Sequence, residues 1–202
     1  MKSMPLLILV RHGQSIWNAK KLFTGWTDVD LSEKGFLEAE IAGKHLAKIN
    51  LDVIFTSELI RAKKTAELIL EENLNSKTIP IICDQRLNER HYGDLQGMNH
   101  DVAREKFGAE QIHIWRRSFD IPPPNGESLK MTAERTLPCL DELIIPELKS
   151  DKNILVVAHG NSLRSIVMRL ENISKENIVK LEIPTGTPKI YSLENNEFIL
   201  QE

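Results

Sequence analysis

Short, uninterrupted apolar runs of strand length recur along the chain: Leu6 to Val10, Val53 to Phe55, Ile79 to Ile82 and Ile154 to Val157. A strand without polar alternation is covered on both faces, so these runs predict a largely parallel sheet buried between helices. Between them the apolar spacing becomes helical. Ser32 is placed to cap a helix reaching about Ile49, with Phe36, Leu37, Ile41, Leu46 and Ile49 as inward positions; Ser57 is placed to cap the next, to about Glu72. A long helix is expected to start at Ser128, and Pro138 and Pro146 should kink or break its hydrogen-bond ladder. Near the end, IYSL and EFIL flank Glu194-Asn195-Asn196, which predicts a terminal hairpin. The fold class expected is α/β, a three-layer sandwich whose mostly parallel central sheet is flanked by helices and carries one antiparallel edge strand.

Residues 83 to 130 interrupt the alternation with a loop through Gly93 and Gly97, two short helices near 99–107 and 110–118, and the run Pro122-Pro123-Pro124-Asn125-Gly126. Irregular insertions of this kind in an ordered scaffold commonly carry function. The length of 202 residues fits a single domain spanning the chain, 1–202. A hydrophobic content of 41% and a charged content of 27% are those of an ordinary globular protein. The net charge of −3 offers no global attraction to nucleic acid or to an anionic membrane, so any cationic chemistry must be local. The first apolar run is too short for a secretory leader, and none approaches the ~20 residues of a membrane span, so a cytoplasmic location is expected. Cys83 and Cys139 show no C-x-x-C spacing and are expected to be packing thiols.

Where the first and fourth apolar runs stop, the chain repeats a layout. PLLILVRHGQSIWN, from residue 5, and NILVVAHGNSLR, from residue 153, both pass from apolar residues to His-Gly, an amide side chain and Ser. Ligands of open α/β sheets sit outside the carboxyl ends of the strands, so His12 and His159 should face one crevice. A third strand end leads through Thr56-Ser57 into a helix whose first turn carries Arg61. Arg11, Arg61, His12 and His159 beside a helix N-terminus make a compact cationic pocket suited to a phosphoryl group. Metal binding is disfavoured, because neither histidine has a partner at ligand spacing and the arginines would repel a cation. No nucleotide-binding glycine motif and no G-x-S-x-G occurs. That leaves histidine as the nucleophile: a neutral imidazole attacks phosphorus through one ring nitrogen, and the arginines offset charge on the phosphoryl oxygens. The leaving oxygen then needs a proton donor, for which Glu89 in Asn88-Glu89-Arg90-His91-Tyr92-Gly93 is the candidate.

RHGQSIWN together with AHGNS resembles the histidine phosphatase superfamily. TGWTDVDLSEKG, NERHYGDLQGMN, IWRRSFDIPPP and IPTGTP resemble its cofactor-dependent phosphoglycerate mutase branch, with the match running from about Leu6 to Tyr191. The resemblance implies interconversion of 3-phosphoglycerate and 2-phosphoglycerate, primed by 2,3-bisphosphoglycerate without metal, in a possible homodimer. It makes His12 the phosphorylated nucleophile and Glu89 the proton donor and acceptor. Arg11, Arg61 and His159 match the residues that hold the transferred group, and Asn18, Gly160 and Asn161 match further phosphate contacts. Thr24, Gly25, Tyr92, Arg116 and Arg117 match positions that hold the rest of the substrate. His91 is left unassigned, and Trp17, Trp26 and Trp115 are expected to pack.

Two departures stand out. The family pattern usually carries Lys where this chain has His100, which at an ordinary pKa would be charged only part of the time near neutral pH. The segment around Pro124 to Glu127 is shorter than in longer members and the chain ends soon after the hairpin, which implies a less covered site and more hydrolysis. The alternatives are a broad-specificity histidine acid phosphatase and a silent module that binds phosphorylated partners; retention of both His12 and Glu89 disfavours the second.

Overall fold

The computed structural model describes residues 4–75 and 78–201. Six strands form one sheet in the order β3-β2-β4-β1-β5-β6. They are β1 (Leu6–Arg11), β2 (Val53–Thr56), β3 (Ile81–Cys83), β4 (Ile154–Ala158), β5 (Pro188–Glu194) and β6 (Glu197–Leu200). β1, β2, β3 and β4 run parallel, while β5 and β6 run antiparallel to their neighbours, so the antiparallel edge is a pair of strands. Asn195 and Asn196 take φ of 51° and 66°, the left-handed pair that a two-residue hairpin turn requires.

Alternate residues of each central strand enter different cores, which accounts for the unbroken apolarity. Ile8, Val10, Ile54, Leu155 and Val157 meet α2 (Glu33–Leu46) and α3 (Ile60–Glu72) on one face. Leu7, Leu9, Val53, Phe55, Ile154 and Val156 meet the other layer. That layer holds α6 (Leu129–Cys139), α7 (Ile145–Lys149) and α8 (Gly160–Leu170). The short α1 (Ile16–Ala19) follows β1; α4 (His100–Phe107) and α5 (Ala109–Arg117) lie between β3 and α6; α9 (Lys175–Ile178) follows α8. Pro138 and Pro146 lack a donor, and between them residues Leu140–Ile144 adopt a π-helical turn that carries the helix on without breaking it.

Three sequence expectations need correction. In α2 the buried stripe is Gly35, Ala39, Ala42, Gly43 and Leu46, whereas Leu37 and Ile41 are 54% and 55% exposed. Small residues face the sheet and α3 here, and side-chain size misled the phase. Ser57 does not cap α3. Its oxygen accepts from Leu59 N at 3.2 Å, and the Ile60 N–H that opens α3 donates to Asp28 Oδ1 at 2.7 Å. Cys139 is buried as expected, but Cys83 is exposed on edge-side β3 and does not pack into the core.

Candidate active site

β1, β4 and β2 are parallel neighbours, so their carboxyl ends open on the same edge of the sheet. Arg11 pairs with Ala158 in register, and His12 N donates to Ala158 O at 3.0 Å. This one register places the two histidines side by side, with ring centroids 4.8 Å apart. Chain entry into the site is tight at Gly13, where a Cβ would come within 2.1 Å of Gly35 O, so only glycine permits that close approach.

His12 is 2% exposed, and its Nδ1 lies 2.6 Å from Gly13 O. A carbonyl can only accept, so Nδ1 carries the hydrogen and Nε2 keeps its lone pair. Burial, and then the charges of Arg61 and Arg11, push its pKa well below the ordinary value against the smaller effect of the Gly13 hydrogen bond. His12 is therefore neutral at neutral pH. His159 is fully buried, and its Nε2 is 2.7 Å from Ser57 Oγ. Burial first, then Arg61, His12 and Arg11, hold His159 neutral as well.

Arg61, 1% exposed, donates to Gly25 O at 2.8 Å and Thr27 O at 3.0 Å. Burial lowers its pKa to about 10, which leaves it cationic. Gly25 reaches this position with φ of 54°. Arg11 is anchored to Ile183 O at 2.9 Å through one terminal nitrogen. Its Nε and His159 Nδ1 are buried side-chain nitrogens without a hydrogen-bond partner. The unpartnered Arg11 N–H in this buried, cationic site fits an anionic guest, since an unmade buried hydrogen bond costs ~1–3 kcal/mol.

Glu89 is 8% exposed, and its Oε1 accepts from Arg90 N at 2.7 Å and from both Asn161 N and Asn161 Nδ2 at 3.1 Å. These bonds fix Oε1, and none of them uses Oε2. Asn161 Nδ2 also reaches Tyr92 Oη at 3.2 Å. The backbone beneath Glu89 is held by Arg135, which donates to Arg86 O, Asn88 O and Glu89 O at 2.9, 3.0 and 2.8 Å and pairs with Glu127 at 2.8 Å. Trp26 Nε1 adds a bond to Glu89 O at 2.5 Å, so Trp26 braces the Glu89 loop as well as packing.

A cavity of about 280 Å³ joins these groups. Of the residues expected from sequence, Arg11, His12, Asn18, Thr24, Gly25, Arg61, Glu89, Tyr92, His100, Arg116, Arg117, Gly160 and Asn161 all line it, and His159 sits just behind His12. Asn18 uses Oδ1 and its own N–H in a capping box with Ser15 at 3.0 and 3.1 Å. Arg116 lies over the Phe23 ring, 5.9 Å from its centroid. The strand-end histidine and arginines and the α5 arginines thus share one space.

The expectation for His100 changes. Its ring packs 4.4 Å from Phe23, and burial, with Arg116 and Arg104 adding their charge, pushes its pKa down to about 4. In the free protein it is neutral through the whole neutral range. His91, unassigned from sequence, accepts from Gly93 N at 3.0 Å through Nδ1 and so shapes the loop.

Sequence reasoning missed Lys21, Arg164 and Glu182 on the cavity wall, as well as Ser57 and Arg135 behind it. Arg164 was within reach: it lies one turn beyond Asn161 on α8 and donates to Asn161 Oδ1 at 3.1 Å. Arg135 carries no local signal, since its carbonyl partners lie 46 or more positions away.

The fold and the paired histidines define a class: the chain belongs to the histidine phosphatase superfamily (branch 1), whose family model matches residues 7–202. Named relatives sharpen the likeness. The chain is 50% identical to a 2,3-bisphosphoglycerate-dependent phosphoglycerate mutase of Protochlamydia amoebophila, over 97% of this chain and 98% of that one. It is 53% identical to a protein of the same name from Parvibaculum lavamentivorans, covering 98% and 94%. It is 51% identical to a phosphoglycerate mutase of Schizosaccharomyces pombe, covering 95% and 91%. Among solved structures it is similar to a mycobacterial glucosyl-3-phosphoglycerate phosphatase solved with VO3, with a TM-score of 0.85 at 29% identity over 98% of this chain and 97% of that one.

Proposed function

We propose that this chain interconverts 3-phosphoglycerate and 2-phosphoglycerate through a phosphohistidine on His12. The priming phosphoryl group comes from 2,3-bisphosphoglycerate. The observation that carries this reading is one cavity lined both by His12 and Glu89 and by Arg116 and Arg117. An isomerase must hold a second anionic end while its bisphosphorylated intermediate reorients. A hydrolase needs no such hold. The names of relatives at about 50% identity over nearly the whole chain agree with it.

His12 Nε2 supplies the lone pair for in-line attack on phosphorus, because Nδ1 is committed to Gly13 O. Arg11 and Arg61 neutralise charge on the transferring oxygens, with His159 beside His12 and with Asn18, Gly160 and Asn161 lining the same cavity. Glu89 protonates the departing hydroxyl oxygen and, in the return step, removes the proton from the attacking hydroxyl, work worth ~100- to 10,000-fold in rate. Tyr92, Thr24, Gly25 and His100 shape the wall that meets the glycerate. All of this is side-chain chemistry and calls for no metal; among the described residues no group of three or more His, Cys, Asp or Glu is placed to hold one. No helix of the described residues is long and apolar enough to cross a membrane. A single domain acting on a small phosphorylated metabolite in the cytoplasm, without nucleic acid or membrane partners and as a possible homodimer, is consistent with this chemistry.

The test is an enolase-coupled assay with and without 2,3-bisphosphoglycerate, run beside a measurement of released phosphate. The expected result is isomerisation that depends on the primer and outpaces hydrolysis. It should survive a chelator and be inhibited by vanadate. Release of phosphate without isomer formation would instead establish a histidine acid phosphatase.

A further inference from the structure

Glu182 is out of keeping with the rest of the cavity. It is a carboxylate on the wall of a site built for anions, and it is not used in the phosphoryl chemistry. It lies in the segment between α9 and β5, and its two oxygens go to two different arginines. Oε1 accepts from Arg117 Nη2, and Oε2 lies 3.5 Å from Arg164 Nη2. Burial raises its pKa, but the Arg117 hydrogen bond and the charges of Arg117, Arg164 and Arg11 outweigh burial and keep the group ionised. Its side chain is 66% exposed, so moving it into solvent requires no repacking.

The arginines do not depend on Glu182 for their position. Arg117 is also anchored to Val179 O at 3.0 Å, and Arg164 to Leu181 O at 2.7 Å and Asn161 Oδ1 at 3.1 Å. Each keeps a backbone tether when the carboxylate leaves. An anionic substrate group arriving at this end of the cavity must therefore displace a carboxylate that already satisfies the same donors.

We propose that Glu182 is a specificity-determining residue: a built-in carboxylate competitor that holds the Arg117–Arg164 pair and sets how tightly the second anionic end of a doubly anionic phosphate ester is held. This rests on the reading that the cavity takes phosphoglycerates. Its effect falls most on substrates with two anionic groups, because it contacts Arg117 and Arg164 directly, whereas Arg11 feels only its charge. Relaxed grip on the second end also favours the turning-over of a bisphosphorylated intermediate between the two transfers.

The test compares the full chain with Glu182→Gln and Glu182→Ala, using 3-phosphoglycerate as the ester with two anionic groups, phosphate and carboxylate, and p-nitrophenyl phosphate as the ester with one. The expected result is a KM for 3-phosphoglycerate roughly fivefold lower in both variants, the scale of releasing one exposed ion pair, with a smaller change for p-nitrophenyl phosphate. An unchanged or raised KM for 3-phosphoglycerate would overturn the proposal, the raised value showing that Glu182 positions the arginines instead. Equal falls for both esters would also overturn it, placing the effect in the general potential of the pocket. Isomer formation by the unsubstituted chain reports separately on the underlying function, so absence of isomerase activity and absence of a Glu182 effect are distinct outcomes.

Discussion

Lowering the pH from 7 to 5 should unfold this protein far more readily than an ordinary α/β domain, and the reason lies in the two central histidines. His12 and His159 are 2% and 0% exposed, and both have pKa values well below normal because burial and neighbouring arginines disfavour the imidazolium. In the unfolded chain each returns to about 6.5, so below that pH the unfolded state binds more protons than the folded one. The stability these groups contribute is fully present above pH ~6.5 and is lost as pH falls towards the folded pKa. At pH 5, one and a half units below the unfolded value, each neutral histidine costs about 2 kcal/mol, or about 4 kcal/mol for the pair, from a total of ~5–15 kcal/mol. Carboxylates with depressed pKa, such as Asp84 and Glu127, lose their contribution only below their own unfolded values of 3.8 and 4.5, outside this window. Urea unfolding followed by tryptophan fluorescence at several pH values in chloride buffer gives the slope directly. With His100, also depressed to about 4, it should approach three protons per molecule between pH 6 and 5, about 4 kcal/mol per pH unit, and fall by about a third in His159→Gln. A flat profile in this window, or an identical slope in the variant, would refute the assignment of buried neutral imidazoles.

Incubation with 2,3-bisphosphoglycerate should leave an acid-labile phosphoryl group on His12 that is absent in His12→Ala; peptide mapping that finds it on serine, or on His159 alone, counts against the mechanism. Arg135→Met should remove the donor shared by three carbonyls of the Glu89 loop, lowering kcat by roughly 10- to 100-fold and stability by ~3–5 kcal/mol, since one partner of a largely buried pair with Glu127 is lost. Kinetics together with urea melts would show whether kcat falls even at temperatures where the variant is fully folded. His100→Lys should lower KM for 3-phosphoglycerate with little change in kcat, by adding a fixed charge where a neutral imidazole stands, and should lower Tm because Arg116, Arg104 and Lys21 already repel a cation there. Superimposable KM profiles from pH 6.5 to 8 in both proteins would place His100 outside substrate contact.

Hydrophobic continuity alone determined the central strands, because a strand covered on both faces admits no polar residue, and the His-Gly elements at two strand ends marked the edge where the cavity opens. The resemblance of the short motifs then matched thirteen of the eighteen residues on the cavity wall, leaving out Lys21, Leu22, Phe23, Arg164 and Glu182. Other features were decided only by the tertiary structure, since each depends on partners distant in sequence. The phase of α2 followed from Gly35, Ala39 and Gly43, residues too small to register as a hydrophobic stripe yet required where the chain packs closely. Ser57 looked like a helix cap until β2 and β4 paired and set it 2.7 Å from His159, 102 positions away. The pKa of His100, about 4, is a property of Phe23, Arg104 and Arg116 gathered around it, and no local sequence rule contains that burial. Glu182 is an ordinary loop acid in one dimension; folding makes it the counter-charge of Arg117 and Arg164, because loop, α5 and α8 converge only in three dimensions.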